Sequence, residues 1–99
     1  GTVGITPVNS VVKNFELNQN YPNPFNPTTN INFSIPKNQN VSLKVYDMMG
    51  KEVASLVNQF MHAGEYKADF SGASLSSGVY YYALKTDEFS STKSMVLIK

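Results

Sequence analysis

Few of these residues could do chemistry, and their spacing argues against it. His62 is the sole histidine and stands beside Ala63-Gly64, a turn signal. An acid–base imidazole needs an orienting partner and a nucleophile, and no Ser–His–Asp order surrounds it. The chain has no Cys, so disulfides, thiolate nucleophiles and thiol metal sites are excluded. A transition-metal site would need several carboxylates beside that one imidazole. The seven acidic residues are scattered, and Asp87-Glu88 is their one adjacent pair. That pair reads as a hairpin tip, not as two carboxyls flanking a glycosidic cleft. The Asn-rich stretch over residues 21–30 could offer oxygens to calcium, but lacks the clustered Asp and Glu such sites use. Asn32-Phe33-Ser34 and Asn40-Val41-Ser42 fit the glycosylation triplet, as chance allows in so Asn- and Ser-rich a chain. All eight basic residues are Lys, and the net charge is +1. Bidentate phosphate and base readout is Arg chemistry, and no strong field steers a polyanion. The expectation is a non-enzyme with no cofactor, no metal and no nucleic-acid partner.

The elements that would position any site are strands. Ile31, Phe33 and Ile35 alternate with Asn30, Asn32 and Ser34. Val41, Leu43 and Val45 alternate with Ser42 and Lys44, and Tyr66, Ala68 and Phe70 with Lys67 and Asp69. Period two, apolar on one face, is a half-buried strand. Residues 79–84 are aromatic and β-prone, and residues 95–98 form a continuous apolar run, expected of a strand covered on both sides. Residues 52–60 carry Val53, Leu56, Val57 and Phe60 at helical offsets, but nine residues after a Gly turn make a poor helix; a bulged strand is predicted. Turn signals recur about every 8–14 residues, the rhythm of an antiparallel sandwich. The fold class expected is all-β, an immunoglobulin-like Greek-key sandwich of about seven strands over residues 15–99. Residues 1–14, mixing Gly, Pro, Asn and Ser, read as an interdomain linker. No apolar run reaches the ~18 residues of a membrane helix, and no secretory leader pattern opens the sequence.

Three local pieces are more specific. Asp47-Met48-Met49-Gly50 fits a type I turn closed by a left-handed Gly, with Asp47 bonding the backbone two residues on; Gly64 marks another turn. In Leu75-Ser76-Ser77-Gly78-Val79-Tyr80 a tyrosine two residues after a turn Gly fits a tyrosine corner, its hydroxyl bonding back near Leu75. Among Tyr80, Tyr81 and Tyr82, at least one faces outward because strand faces alternate. In residues 20–27, Pro22, Pro24 and Pro27 remove three backbone donors and fix three φ angles, giving a stiff loop anchored by Tyr21 and Phe25.

Those pieces together resemble one family. Leu17-Asn18-Gln19-Asn20, then YPNPFNPTT, then Ile31-Asn32-Phe33 is similar to the opening of type A C-terminal sorting domains of the type IX secretion system. The resemblance continues through residues 45–53, Leu56-Val57, Ala63-Gly64, residues 75–82 and Leu84, and closes on residues 92–99, in order and spacing. It departs at Tyr66, which follows Glu65 where the family often has His or Tyr, and at Ala83, where a basic residue is common. The resemblance implies a non-catalytic address label on a larger secreted cargo. The cargo reaches the periplasm by its own leader, the outer-membrane translocon recognises the folded domain, and a sortase cleaves before Phe15 and attaches the cargo to the cell surface. It implies that Gly78, Tyr80, Tyr82, Lys93, Met95, Val96, Leu97, Ile98 and Lys99 carry the signal. A final strand at a sheet edge, with bare N–H and C=O groups kept soluble by Lys93 and Lys99, would suit strand addition. Two other functions fit the composition: a carbohydrate-binding or stabilising module of a polysaccharide-degrading enzyme, and a structural immunoglobulin-like domain.

Overall fold

The computed structural model describes residues 4–8 and 13–99. Among them there are eight strands and no helix: β1 (Gly4–Val8), β2 (Glu16–Leu17), β3 (Thr28–Ile35), β4 (Gln39–Tyr46), β5 (Glu52–Met61), β6 (Gly64–Ser71), β7 (Gly78–Lys85) and β8 (Ser90–Leu97). They form two four-stranded sheets, ordered β1-β6-β3-β2 and β5-β4-β7-β8, with every pairing antiparallel. The chain crosses between sheets at β3–β4, β5–β6 and β6–β7, so β3 lies beside β6 in one sheet while β4 lies beside β7 in the other. Such Greek-key crossings make the immunoglobulin-like sandwich that the turn rhythm predicts.

Alternation builds the core. Ile31, Phe33 and Ile35 from β3 and Ala68 and Phe70 from β6 meet Val41, Leu43 and Val45 from β4, Tyr82 and Leu84 from β7, and Met95 and Leu97 from β8. Residues 52–60 are indeed strand, and the helical offsets have a physical cause. Two register shifts against β4, between Leu43 and Lys44 and between Val45 and Tyr46, insert extra residues into β5. One bulge turns Leu56 and Val57 toward the core together, breaking the period of two.

Two expectations need correction. Gly4–Val8 is not linker: it pairs with Val8 opposite Glu65 and Gly4 opposite Asp69, as an outer strand of its sheet. Pro7 hid this strand, but an edge position tolerates a residue that cannot donate on its free side. The rest of residues 1–14 falls outside the described residues except 13 and 14. Residues 95–98 are not covered on both sides either: β8 is a sheet edge, with Met95 and Leu97 buried and Ile98 exposed. Gly64 begins β6 with no positive φ, so glycine is not required there; Gly50 and Gly78, at φ 84° and 155°, do need it.

Candidate recognition site

The proline-rich segment joins β2 to β3 and is held from inside by one amide. Asn20 is buried; its Nδ2 donates to Thr29 Oγ1 at 3.0 Å and to Pro22 O at 3.2 Å, and its Oδ1 accepts from Gln19 Nε2 at 2.7 Å. Thr29 Oγ1 donates to Pro22 O at 2.9 Å. Tyr82 Oη accepts from the Asn20 backbone N–H at 2.8 Å and donates to Asn18 O at 2.7 Å. Burial pushes the Tyr82 phenol up to about 12, against a smaller lowering by the Asn20 N–H bond. All three X–Pro bonds, after Tyr21, Asn23 and Asn26, are cis. Phe25 is the anchor the sequence predicts, 1% exposed and edge-on to Phe70 at 6.0 Å. Tyr21 is not: its backbone exchanges two 2.9 Å bonds with Asn30, and its side chain is 78% exposed.

The loop reaches across to the other sheet and closes the end of β8. Phe25 N donates to Val96 O and Ile98 N donates to Phe25 O, each at 2.9 Å. Val96 N donates to Asn23 Oδ1 at 3.0 Å, and Gln19 Nε2 donates to Ser94 O at 2.7 Å. The bare edge expected of the last strand is therefore corrected over residues 94–98: the loop already supplies its hydrogen bonds there.

The turn between β6 and β7 completes the cluster. Gly72 N donates to Pro27 O at 2.7 Å, and a Cβ on Gly72 would stand 2.9 Å from Leu97 Cδ2 and 3.3 Å from Phe25 Cε2. Crowding, not φ, favours glycine there: any larger residue would push the Leu97 and Phe25 side chains aside. Tyr80 Oη donates to Ser76 O at 2.6 Å, the tyrosine corner read from the spacing. Lys99 is exposed, yet it is not the free surface charge a terminal Lys suggests: its Nζ donates to Ala73 O and Leu75 O at 2.6 and 2.7 Å, and its N to Ser77 Oγ at 3.0 Å.

The other predicted turn, which follows Tyr46 at the same end of its sheet as Gly78 and Leu97, has the expected bonds. Asp47 Oδ1 accepts from Met49 N at 2.9 Å and Lys51 N at 3.0 Å, and Gly50 N donates to Asp47 O at 3.0 Å. Asp87-Glu88 sits at the tip between β7 and β8, where Glu88 meets Lys37 at 3.5 Å. His62 is exposed in the β5–β6 turn, its ring edge-on to Phe60 at 5.8 Å. Among the described residues no three metal-ligating side chains come together.

Of the residues the resemblance marks, Tyr80, Tyr82, Met95 and Leu97 are buried; they shape the site from beneath. Gly78, Lys93 and Val96 are half-buried, and Ile98 and Lys99 are exposed. The structure adds Gln19, Asn20, Asn23 and Gly72, which hold the loop, strand and turn together. The three-proline motif draws the eye to this loop, but nothing local in it shows that Asn23 and Phe25 meet residues 96–98. The family model described as "Secretion system C-terminal sorting domain" matches residues 19–99. No curated protein and no solved structure matches the chain significantly.

Proposed function

We propose a recognition scheme from one premise: this chain belongs to the secretion system C-terminal sorting domains, the family that labels cargo for type IX secretion. As such it is a sorting signal that directs attached cargo to export, with a surface or secreted fate. The finer steps are our reading. The cargo crosses the periplasm, and the outer-membrane translocon takes up the folded domain by the end where loop 20–27, the tail of β8 and turn 72–78 join. A sortase then cuts upstream of Phe15 and attaches the cargo to the cell surface. The supporting observation is the bonding of Asn23 and Phe25 to Val96 and Ile98, which turns distant motifs into a single surface. Buried Tyr80, Tyr82, Met95 and Leu97 fix its shape; Lys93, Val96, Ile98 and Lys99 are the part a partner can touch.

The test is a fusion of this domain to a periplasmic reporter in a host carrying the secretion system. The wild-type fusion reaches the medium or the surface. Asn23→Ala and Ile98→Ser, with melting curves close to wild type, leave the reporter in the periplasm. Retention of the wild-type fusion would refute the sorting reading. Full export of both folded variants would refute the placement of the recognised surface.

A further inference from the structure

One exposed aromatic stands apart from the surface described above. Among the described residues, Tyr21, Met48, Met49, Tyr81 and Ile98 lie toward the end of the sandwich that carries the loop and the β8 tail. Phe60, 56% exposed, lies toward the other end. The register fixes its company. Phe60 is opposite Asn40, so both point to the outer face of the β5-β4-β7-β8 sheet. In the next row Asn58 is opposite Ser42, and Ser42 opposite Lys85, on that same face. The turn after Lys85 adds Thr86 and Asp87, and Thr86 Oγ1 holds that turn by accepting from Glu88 N at 3.2 Å and Phe89 N at 3.0 Å. Asn40, Ser42, Asn58, Lys85, Thr86 and Asp87 line a groove of about 230 Å³. Phe60 flanks it across from Asn40, with the His62 ring edge-on at 5.8 Å. The side chains of Asn40, Ser42, Asn58, Lys85 and Asp87 bond to no other group among the described residues, whereas Asn20, Asn23 and Asn38 use theirs to hold the fold. Charge is balanced. Lys85 and Asp87 are the groove's two ions, opposite in sign, and the neighbouring Lys44 and Glu88 are matched by Glu52 at 3.1 Å and Lys37 at 3.5 Å.

We propose that this groove binds a neutral saccharide, at a site separate from the sorting surface and independent of that reading. The lining selects the class. Amide and hydroxyl side chains offer both donors and acceptors, as the hydroxyls of a sugar do. The negative face of the Phe60 ring attracts the C–H bonds on one side of a pyranose. A polyanion would meet Asp87 together with Lys85, so the groove gives it no net field. An apolar ligand would take the polar side chains out of water unpaired. The groove is smaller than the ~300–1,000 Å³ of a drug-sized pocket, so it holds one or two units of a longer glycan, at a Kd on the order of 1 mM.

Nitrogen–proton NMR of the whole chain, titrated with cellohexaose, laminarihexaose and mannohexaose, tests this. At least one of the three moves the Asn40, Ser42 and Asn58 signals saturably, while those of Gly72 and Val96 stay in place. Phe60→Ala and Asn58→Ala change exposed side chains, so both melt as wild type does, and each weakens binding by about tenfold. Phe60→Tyr keeps the ring and keeps the affinity. No saturable shift from any of the three up to about 10 mM, roughly ten times the expected Kd, overturns the site. Shifts confined to Gly72 and Val96 overturn its placement, and unchanged affinity in both alanine variants overturns the assigned residues. Tighter binding of dextran sulfate, lost in high salt, assigns the groove to polyanions and refutes a neutral ligand. A wild-type dimer in sedimentation that Phe60→Ala dissolves assigns the face to a second copy of the chain and likewise refutes the saccharide. Because the readout is binding by the isolated chain, failure here leaves the sorting reading intact, and failed export of the reporter fusion leaves this inference intact.

Discussion

Tyr82 ties the loop to the core through one oxygen that both donates and accepts, and burial makes that oxygen a poor anion. Its phenol is raised to about 12, so between the ordinary pKa near 10 and that value the folded chain holds a proton that the unfolded chain releases. Stability therefore falls as pH rises from about 10 toward 12, by up to about 1.4 kcal/mol per pH unit. Urea titrations across that range show the slope, and Tyr82→Phe reduces it. At pH 7 the same variant leaves Asn20 N–H without its partner in the interior, a loss of about 1–3 kcal/mol. Tyr80→Phe removes the bond to Ser76 O and costs about 1 kcal/mol, whereas Tyr81→Phe, exposed and with no hydroxyl partner among the described bonds, stays within about 0.5 kcal/mol. Equal losses in the two would contradict the assigned faces. Gly78→Val forces a side chain into φ 155° and lowers the melting temperature by several degrees, for about 1–3 kcal/mol of strain. The tyrosine corner, the Asp47 turn and Gly78 could be read from the sequence because each closes within a few residues. Asn20 and Asn23 could not: the partners of Asn20 N and Asn23 Oδ1 lie 62 and 73 residues away.

At the level of elements, hydrophobic alternation revealed the inner strands well, because one face of each is core and the other is not. It failed at the edges, where neighbours decide the outcome. Gly4–Val8 has the composition of a linker and is strand only because β6 offers a partner. The apolar run 95–98 suggests a strand covered on both faces, yet Val96 is half-buried and Ile98 exposed, and the edge expected to be bare is closed by a loop. The bulges of β5 were legible, as a disturbed period, in the adjacent pair Leu56 and Val57. The closure of β8 has a direct readout. Phe25→Ala empties a fully buried ring site and costs about 3–5 kcal/mol. Asn23→Ala costs much less, because the lost bond is exposed, but it frees the Val96 amide. Hydrogen exchange on Asn23→Ala shows Val96 exchanging faster while the Leu43 amide in the sheet interior keeps its wild-type rate. Unchanged protection at Val96 would mean that the loop does not close the edge in solution.

Over the whole molecule, the two sheets meet in a core without a disulfide or a metal cluster among the described residues, so packing and hydrogen bonds carry the stability. Lys99 contributes through three bonds to turn 72–78, and Ile98 through one bond to Phe25. A chain ending at Leu97 loses all four and melts several degrees lower. An unchanged midpoint would show that these terminal bonds carry no stability. The joining of Gln19, Asn23 and Phe25 to residues 94–98, up to 75 positions apart, also has a meaning for synthesis. During synthesis residues 19–25 emerge long before residues 94–98, so the Phe25 N–H and the Asn23 Oδ1 wait unmatched until that later stretch follows. The surface they build together therefore exists only in a chain that carries both partners, and a break anywhere between them leaves neither half with the shape of the whole.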